Sequence, residues 1–136
     1  MDPLVYNSEY LPEVQLVILT SENPQYETLK PMFDEYGYGF MVPNKNIIVI
    51  DGEQFIDNFD SSVLKFIEAH EVSHIILNHN GPRNDKDEIE ADLGAYILLK
   101  KDNRTDSIKH LLKNFKRRHG IKFDEKMTEK IKKHFS

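Results

Sequence analysis

Apolar residues fall along this chain in two patterns, short runs and helical spacings. Residues 13–20 (Glu-Val-Gln-Leu-Val-Ile-Leu-Thr) are rich in β-branched and aliphatic side chains and run into the breakers Ser21, Asn23 and Pro24, which predicts a buried strand. From Pro24 to Tyr36 the spacing changes to three and four, through Tyr26, Leu29, Met32, Phe33 and Tyr36, with Gly37 as a stop and Pro31 as an expected kink. Tyr38–Val42 and Asn46–Asp51, separated by Pro43-Asn44-Lys45, predict a hairpin.

The next segment is apolar nearly all round. Asp60, Ser61 and Ser62 offer N-caps to a helix carrying Val63, Leu64, Phe66, Ile67, Ala69, Val72, Ile75, Ile76 and Leu77, and Gly81-Pro82 stop it. Such a helix is buried, so the ionisable residues inside it need a reason. Asn84-Asp85 caps a further helix to about Lys100. Thr105-Asp106 caps an amphipathic one to His119, and Met127, Ile131 and Phe135, four apart, predict a last helix from Asp124.

Length and composition fit these elements. A chain of 136 residues, 39% hydrophobic and 30% charged with six Gly and six Pro, is of ordinary globular domain size and composition. No apolar run approaches the roughly 20 residues of a membrane helix, and the start Met1-Asp2-Pro3 lacks the basic region of a secretory signal, so the expected location is the cytoplasm. Without cysteine there is no disulfide and no thiolate ligand, and any metal must be held by His and carboxylates. Charge is uneven. Residues 105–136 carry ten Lys and Arg against four Asp and Glu, whereas the first 104 carry eight against nineteen. This basic tail is either a solvated helix face or a contact for an acidic partner such as nucleic acid, although no helix-turn-helix or stacking motif supports sequence reading.

Within the buried helix stands His70-Glu71-Val72-Ser73-His74, the pattern H-E-x-x-H. Residues four apart share a helix face one turn from each other, so both imidazoles can converge on one Zn²⁺. Glu71 is rotated about 100° from His70 and flanks the metal, placed to take a proton from a metal-activated water. Burying three ionisable groups in an apolar helix is expensive unless they are paired or bind a metal. A third ligand is expected from Glu88-Ile89-Glu90-Ala91-Asp92-Leu93-Gly94-Ala95. There Glu88 is the expected ligand, Asp92 on the same face receives the free N–H of a ligand histidine, and Ala91 and Ala95 allow close helix approach. Glu90 is the nearest rival. His79 is another, but it misses the adamalysin-type spacing and is expected to cap the helix C-terminus. Two His and one carboxylate also suit Fe²⁺ or Mn²⁺, and the helical arrangement favours one zinc per chain.

Together, Ala69-His70-Glu71-Val72-Ser73-His74-Ile75-Ile76-Leu77-Asn78-His79 and the E-x-E-A-D of Glu88–Asp92, behind a hairpin strand, resemble the gluzincin metallopeptidases and most closely the small ImmA/IrrE family. The resemblance covers about residues 38–100. It implies a cytoplasmic zinc peptidase that cuts a regulatory protein, commonly a phage or mobile-element repressor, with His70, His74 and Glu88 on the metal and Glu71 as base. Gly94, the short gap from His74 to Glu88, and Lys100-Lys101 depart from the family pattern without touching a ligand.

The expected architecture is α+β and minimal zincin-like. A small twisted sheet packs on the H-E-x-x-H helix, the Glu88 helix follows, and residues 104–136 form a basic helical extension on a domain of residues 1–103. A peptide substrate is expected to pair with Ile47–Ile50 as a sheet edge. Tyr36, Tyr38, Tyr96, His110 and His119 are undifferentiated candidates for the oxyanion donor. The second reading is a catalytically silent zinc-bearing regulator that meets a protein or nucleic acid through its basic tail.

Overall fold

The strand-forming runs assemble into one four-stranded mixed sheet. β1 (Leu4–Asn7), β2 (Gln15–Leu19), β3 (Gly39–Val42) and β4 (Ile47–Asp51) lie in the order β1-β2-β4-β3. The computed structural model describes residues 2–42, 44–55 and 61–136. The chain is α+β, divided into two compact units over residues 1–60 and 61–136. Pro43 of the expected turn and Asp60 of the expected cap lie outside the described residues.

In the first unit β3 and β4 form the expected antiparallel hairpin, with Phe40 opposite Val49. β2 joins the other side of β4 in parallel, Leu16 opposite Ile48 and Ile18 opposite Ile50, across a connection that contains α1 (Tyr26–Tyr36). α1 lays Tyr26 and Phe33 on Leu19, Phe40 and Val49, and the Phe33 and Phe40 rings stand 5.3 Å apart. Pro31 sits inside α1 without ending it.

Two expectations change here. Ile47–Ile50 is not an edge, because β4 is hydrogen-bonded on both sides and cannot accept an added peptide strand. Its consecutive buried residues Ile48, Val49 and Ile50 are the mark of an enclosed strand. The edges are β3 and β1. The pattern gave no sign of β1, which keeps all four residues exposed and is held by its ladder to β2.

The second unit is helical. α2 (Ser61–Ile76), α3 (Asp85–Lys101) and α4 (Thr105–His119) pack on one another in all three pairs around Phe66, Ala69, Val72, Ala91, Leu111 and Phe115. Asn84 caps α3 by accepting the Asp87 N–H at 2.9 Å. No side chain caps α4, whose N-cap is Arg104. Beyond Gly120 the expected last helix is instead two 3₁₀ segments, Glu125–Lys130 and Lys132–Phe135, with backbone bonds three residues apart. Short lengths suit that tighter winding. Ile131 and Phe135 are nevertheless buried, as their spacing implies. Among the described residues no helix is long and apolar enough to cross a membrane.

Candidate metal centre

The site is built where α2 and α3 approach most closely. Ala91 and Ala95 are fully buried, and Gly94 lies so near α2 that a Cβ there would meet Ser73 Oγ at 2.6 Å and Ser73 Cβ at 2.8 Å. Small residues thus let α3 bring its first turns beside the His70–His74 face of α2. Ser73, polar in an apolar helix, is satisfied by donating to the Ala69 carbonyl at 2.8 Å.

His70, His74 and Glu88 each offer one ligand atom, and those atoms lie within 4.8 Å of one another. His74 Nε2 is 2.7 Å from Glu88 Oε2, and His70 Nε2 is 3.6 Å from Glu88 Oε1. Donor atoms around one tetrahedral zinc at 2.0–2.1 Å stand about 3.3 Å apart. Two imidazole nitrogens and a carboxylate at these separations therefore fit a cation after a slight opening of the His74–Glu88 contact.

Partners surround this group. His70 Nδ1 is 2.7 Å from Asp92 Oδ1, which leaves Nε2 to face Glu88. Asp92, nearly fully buried, also accepts from Arg118 at 2.8 and 2.9 Å and lies 2.5 Å from His119 Nε2. Arg83 donates to Glu88 Oε1 at 3.0 Å. His79 does not cap α2 with its side chain. Its ring lies between His74 and Glu90, with Nδ1 2.9 Å from His74 Nδ1 and Nε2 2.9 Å from Glu90 Oε1. Glu90, the rival third ligand, is engaged there.

The backbone explains how His79 gets there. Asn78 takes a left-handed conformation (φ 58°), Asn78 N–H bonds the Ile75 carbonyl, and His79 N–H bonds the His74 carbonyl. This is the Schellman ending of a helix, which folds the residue after the turn back toward the last turn.

The charges are strongly coupled. Burial alone would lower the His70 pKa, but the Asp92 charge and hydrogen bond, with Glu88 and Glu71, outweigh it and push the imidazole up to about 10. Burial raises Asp92, but His70, His119 and Arg118 overcome it and hold the carboxyl below its usual range. Glu88 is likewise held low, because its contacts with His70 and His74 together outweigh its desolvation. Glu71 goes the other way. Desolvation raises it, and the neighbouring His70 and His74 offset that only in part.

Of the undifferentiated candidates, His119 is the one bonded to Asp92. Tyr96 packs at a tilt against Phe123, His110 against Phe66, and Tyr36 against Phe40. Arg83 and Arg118 are the site's neighbours that sequence reasoning missed, and His119, His79 and Glu90, named there as candidates, take contacts it did not foresee. The helix-ending Asn78 directly before His79 was the one signal available, since Arg118 and His119 lie 26 and 27 residues from Asp92. Compared with family models, curated proteins and solved structures, the chain matches none.

Proposed function

We propose that this chain is a zinc-dependent metallopeptidase of the ImmA/IrrE type, with a minimal zincin-like arrangement and one zinc per chain. It would hydrolyse a peptide bond in a regulatory protein of the cytoplasm. The observation that carries the reading is the grouping of ligand atoms of His70, His74 and Glu88 within 4.8 Å of one another, with Glu71 next in sequence to His70. A helical pair of imidazoles four residues apart and a carboxylate favour zinc among the divalent cations.

When bound, zinc would supply a Lewis acid that polarises a substrate carbonyl and acidifies a water. The chain's own residues supply the rest. Asp92 accepts the Nδ1 proton of His70 and so keeps Nε2 as the ligand atom. Arg118 and His119 hold Asp92 ionised for that task. Glu71, its pKa raised by desolvation, is suited to take a proton at its carboxylate and return it to the leaving amine.

Two measurements test this. Metal content of the purified chain beside His70→Ala and Glu88→Ala should show near-stoichiometric zinc in the native protein and its loss in both variants. A peptide library read by mass spectrometry should then show cleavage by the native chain and none by Glu71→Gln, which keeps its zinc. Equal cleavage by Glu71→Gln would remove Glu71 as the base, and no cleavage by a zinc-loaded native chain would favour the catalytically silent zinc-bearing regulator. The basic tail weighs less for that alternative, because Arg118 and His119 are turned to Asp92.

A further inference from the structure

The geometry points to His79, held by Glu90, as the positioning residue of His74, the link that fixes which nitrogen of His74 can bind a metal. The inference rests on the reading of His70, His74 and Glu88 as ligands. His70 has a carboxylate on its non-ligating nitrogen, whereas the non-ligating Nδ1 of His74 meets another imidazole nitrogen, His79 Nδ1, at 2.9 Å. That contact holds one proton, because two bare nitrogens repel and two N–H groups clash.

The proton positions follow from the partners of each ring. If His74 Nε2 is a ligand, its ring proton is on Nδ1 and is donated to His79 Nδ1. His79 Nδ1 must then be bare, which puts its own proton on Nε2, 2.9 Å from Glu90 Oε1 and 3.5 Å from Asp87 Oδ1. Every donor in this order finds an acceptor, and the line ends on carboxylates.

The same logic decides a competing possibility. His79, Asp87 and Glu90 also bring three ligand atoms within 4.8 Å of one another. A cation on His79 Nε2 would require the proton on His79 Nδ1, hence a bare His74 Nδ1 and a protonated His74 Nε2, which closes the first site. With both rings neutral the two clusters are mutually exclusive. The first has two imidazoles and the second one, so the order that serves the first prevails.

The test uses zinc alone, titrated against a chromogenic chelator, with the native chain, His79→Ala and His79→Asn. Asn places Oδ1 where His has Nδ1 and can accept the same proton. His79→Ala should weaken zinc binding by about 10–100-fold, and His79→Asn should restore most of it, each variant still binding one zinc per chain. Nitrogen-15 NMR of the zinc-loaded native chain should show the ring proton of His74 on Nδ1 and that of His79 on Nε2, a readout that needs no variant to fold. A proton on His79 Nδ1, equal affinity of the native chain and His79→Ala, or two zincs per native chain falling to one in His79→Ala would each overturn the inference while leaving the peptidase reading in place. A native chain that takes up no zinc would overturn both.

Discussion

Arg118 meets both carboxylate oxygens of Asp92, at 2.9 and 2.8 Å, and so ties the last turn of α4 to the middle of α3. A residue that composition assigns to a basic face is instead part of the scaffold behind His70. Asp92 is the common acceptor of Arg118, His119 and His70, so its removal leaves three donors facing a neutral group. Asp92→Asn should destabilise the chain by about 3–5 kcal/mol, the usual result of breaking a buried ion pair from one side. Arg118→Met should cost about 1.5–3 kcal/mol, because Asp92 keeps its two histidines. Urea unfolding of both variants checks this order, and an Arg118→Met chain as stable as the native one would remove the scaffold role.

Gly94 sets the approach of α3 to α2. A Cβ there would lie 2.5 Å from Phe135 Cζ as well as against Ser73, so the side chain has no room on either side. Alanine in a helix usually gains up to about 1 kcal/mol over glycine. Here overpacking of about 1–3 kcal/mol opposes it. Gly94→Ala should therefore lower the unfolding midpoint and, by displacing the helix that carries Glu88 and Asp92, weaken zinc binding as well. A stabilised variant with native zinc affinity would contradict the close-packing account.

These relationships mark where sequence reading stops. The H-E-x-x-H helix is legible because an all-round apolar pattern makes buried His and Glu conspicuous, and α3 because Asn84 caps it and Glu88 and Asp92 share a face. Both signals are local. Two of the three partners of Asp92, Arg118 and His119, come from α4, and nothing in the amphipathic pattern of that helix distinguishes Arg118 from Arg117. The run Ile47–Ile50 carried its own sign of a central strand, but its neighbour β2 lies across α1, so only the parallel pairing makes it one. β1 has no buried face to impose an alternation.

The charge coupling predicts a stability profile for the metal-free chain. His70, raised from 6.5 to about 10, adds stability that is complete below pH 6.5 and lost as pH rises through about 10. Asp92 and Glu88, held below 3.8 and 4.5, add stability that is present above those values and lost on acidification. Glu71, raised above 4.5, is a penalty that grows as pH rises past that value. The metal-free chain should thus be most stable between pH 4.5 and 6.5 and weaken on the alkaline side. Urea midpoints of chelator-treated protein across about pH 3–10 would show it, and a maximum above about pH 8 would contradict the charged His70.

If Glu88 holds a metal as proposed, Arg83 competes with that metal for the Glu88 carboxylate. Arg83 donates to Glu88 Oε1 at 3.0 Å from a half-exposed position, so metal binding must loosen an ion pair worth about 0.2–1 kcal/mol. Arg83→Ala should then tighten zinc binding by up to about fivefold. Glu88→Gln should act in the opposite sense and far more strongly, by more than the about 10–100-fold typical of outer partners. Glu90, which reaches His79 instead of His70 and His74, should on the proposed assignment show only an outer partner's effect when changed to Ala. Chelator competition on the three variants ranks them directly. Loss of zinc in Glu90→Ala with retention in Glu88→Gln would reverse the assignment of the third ligand.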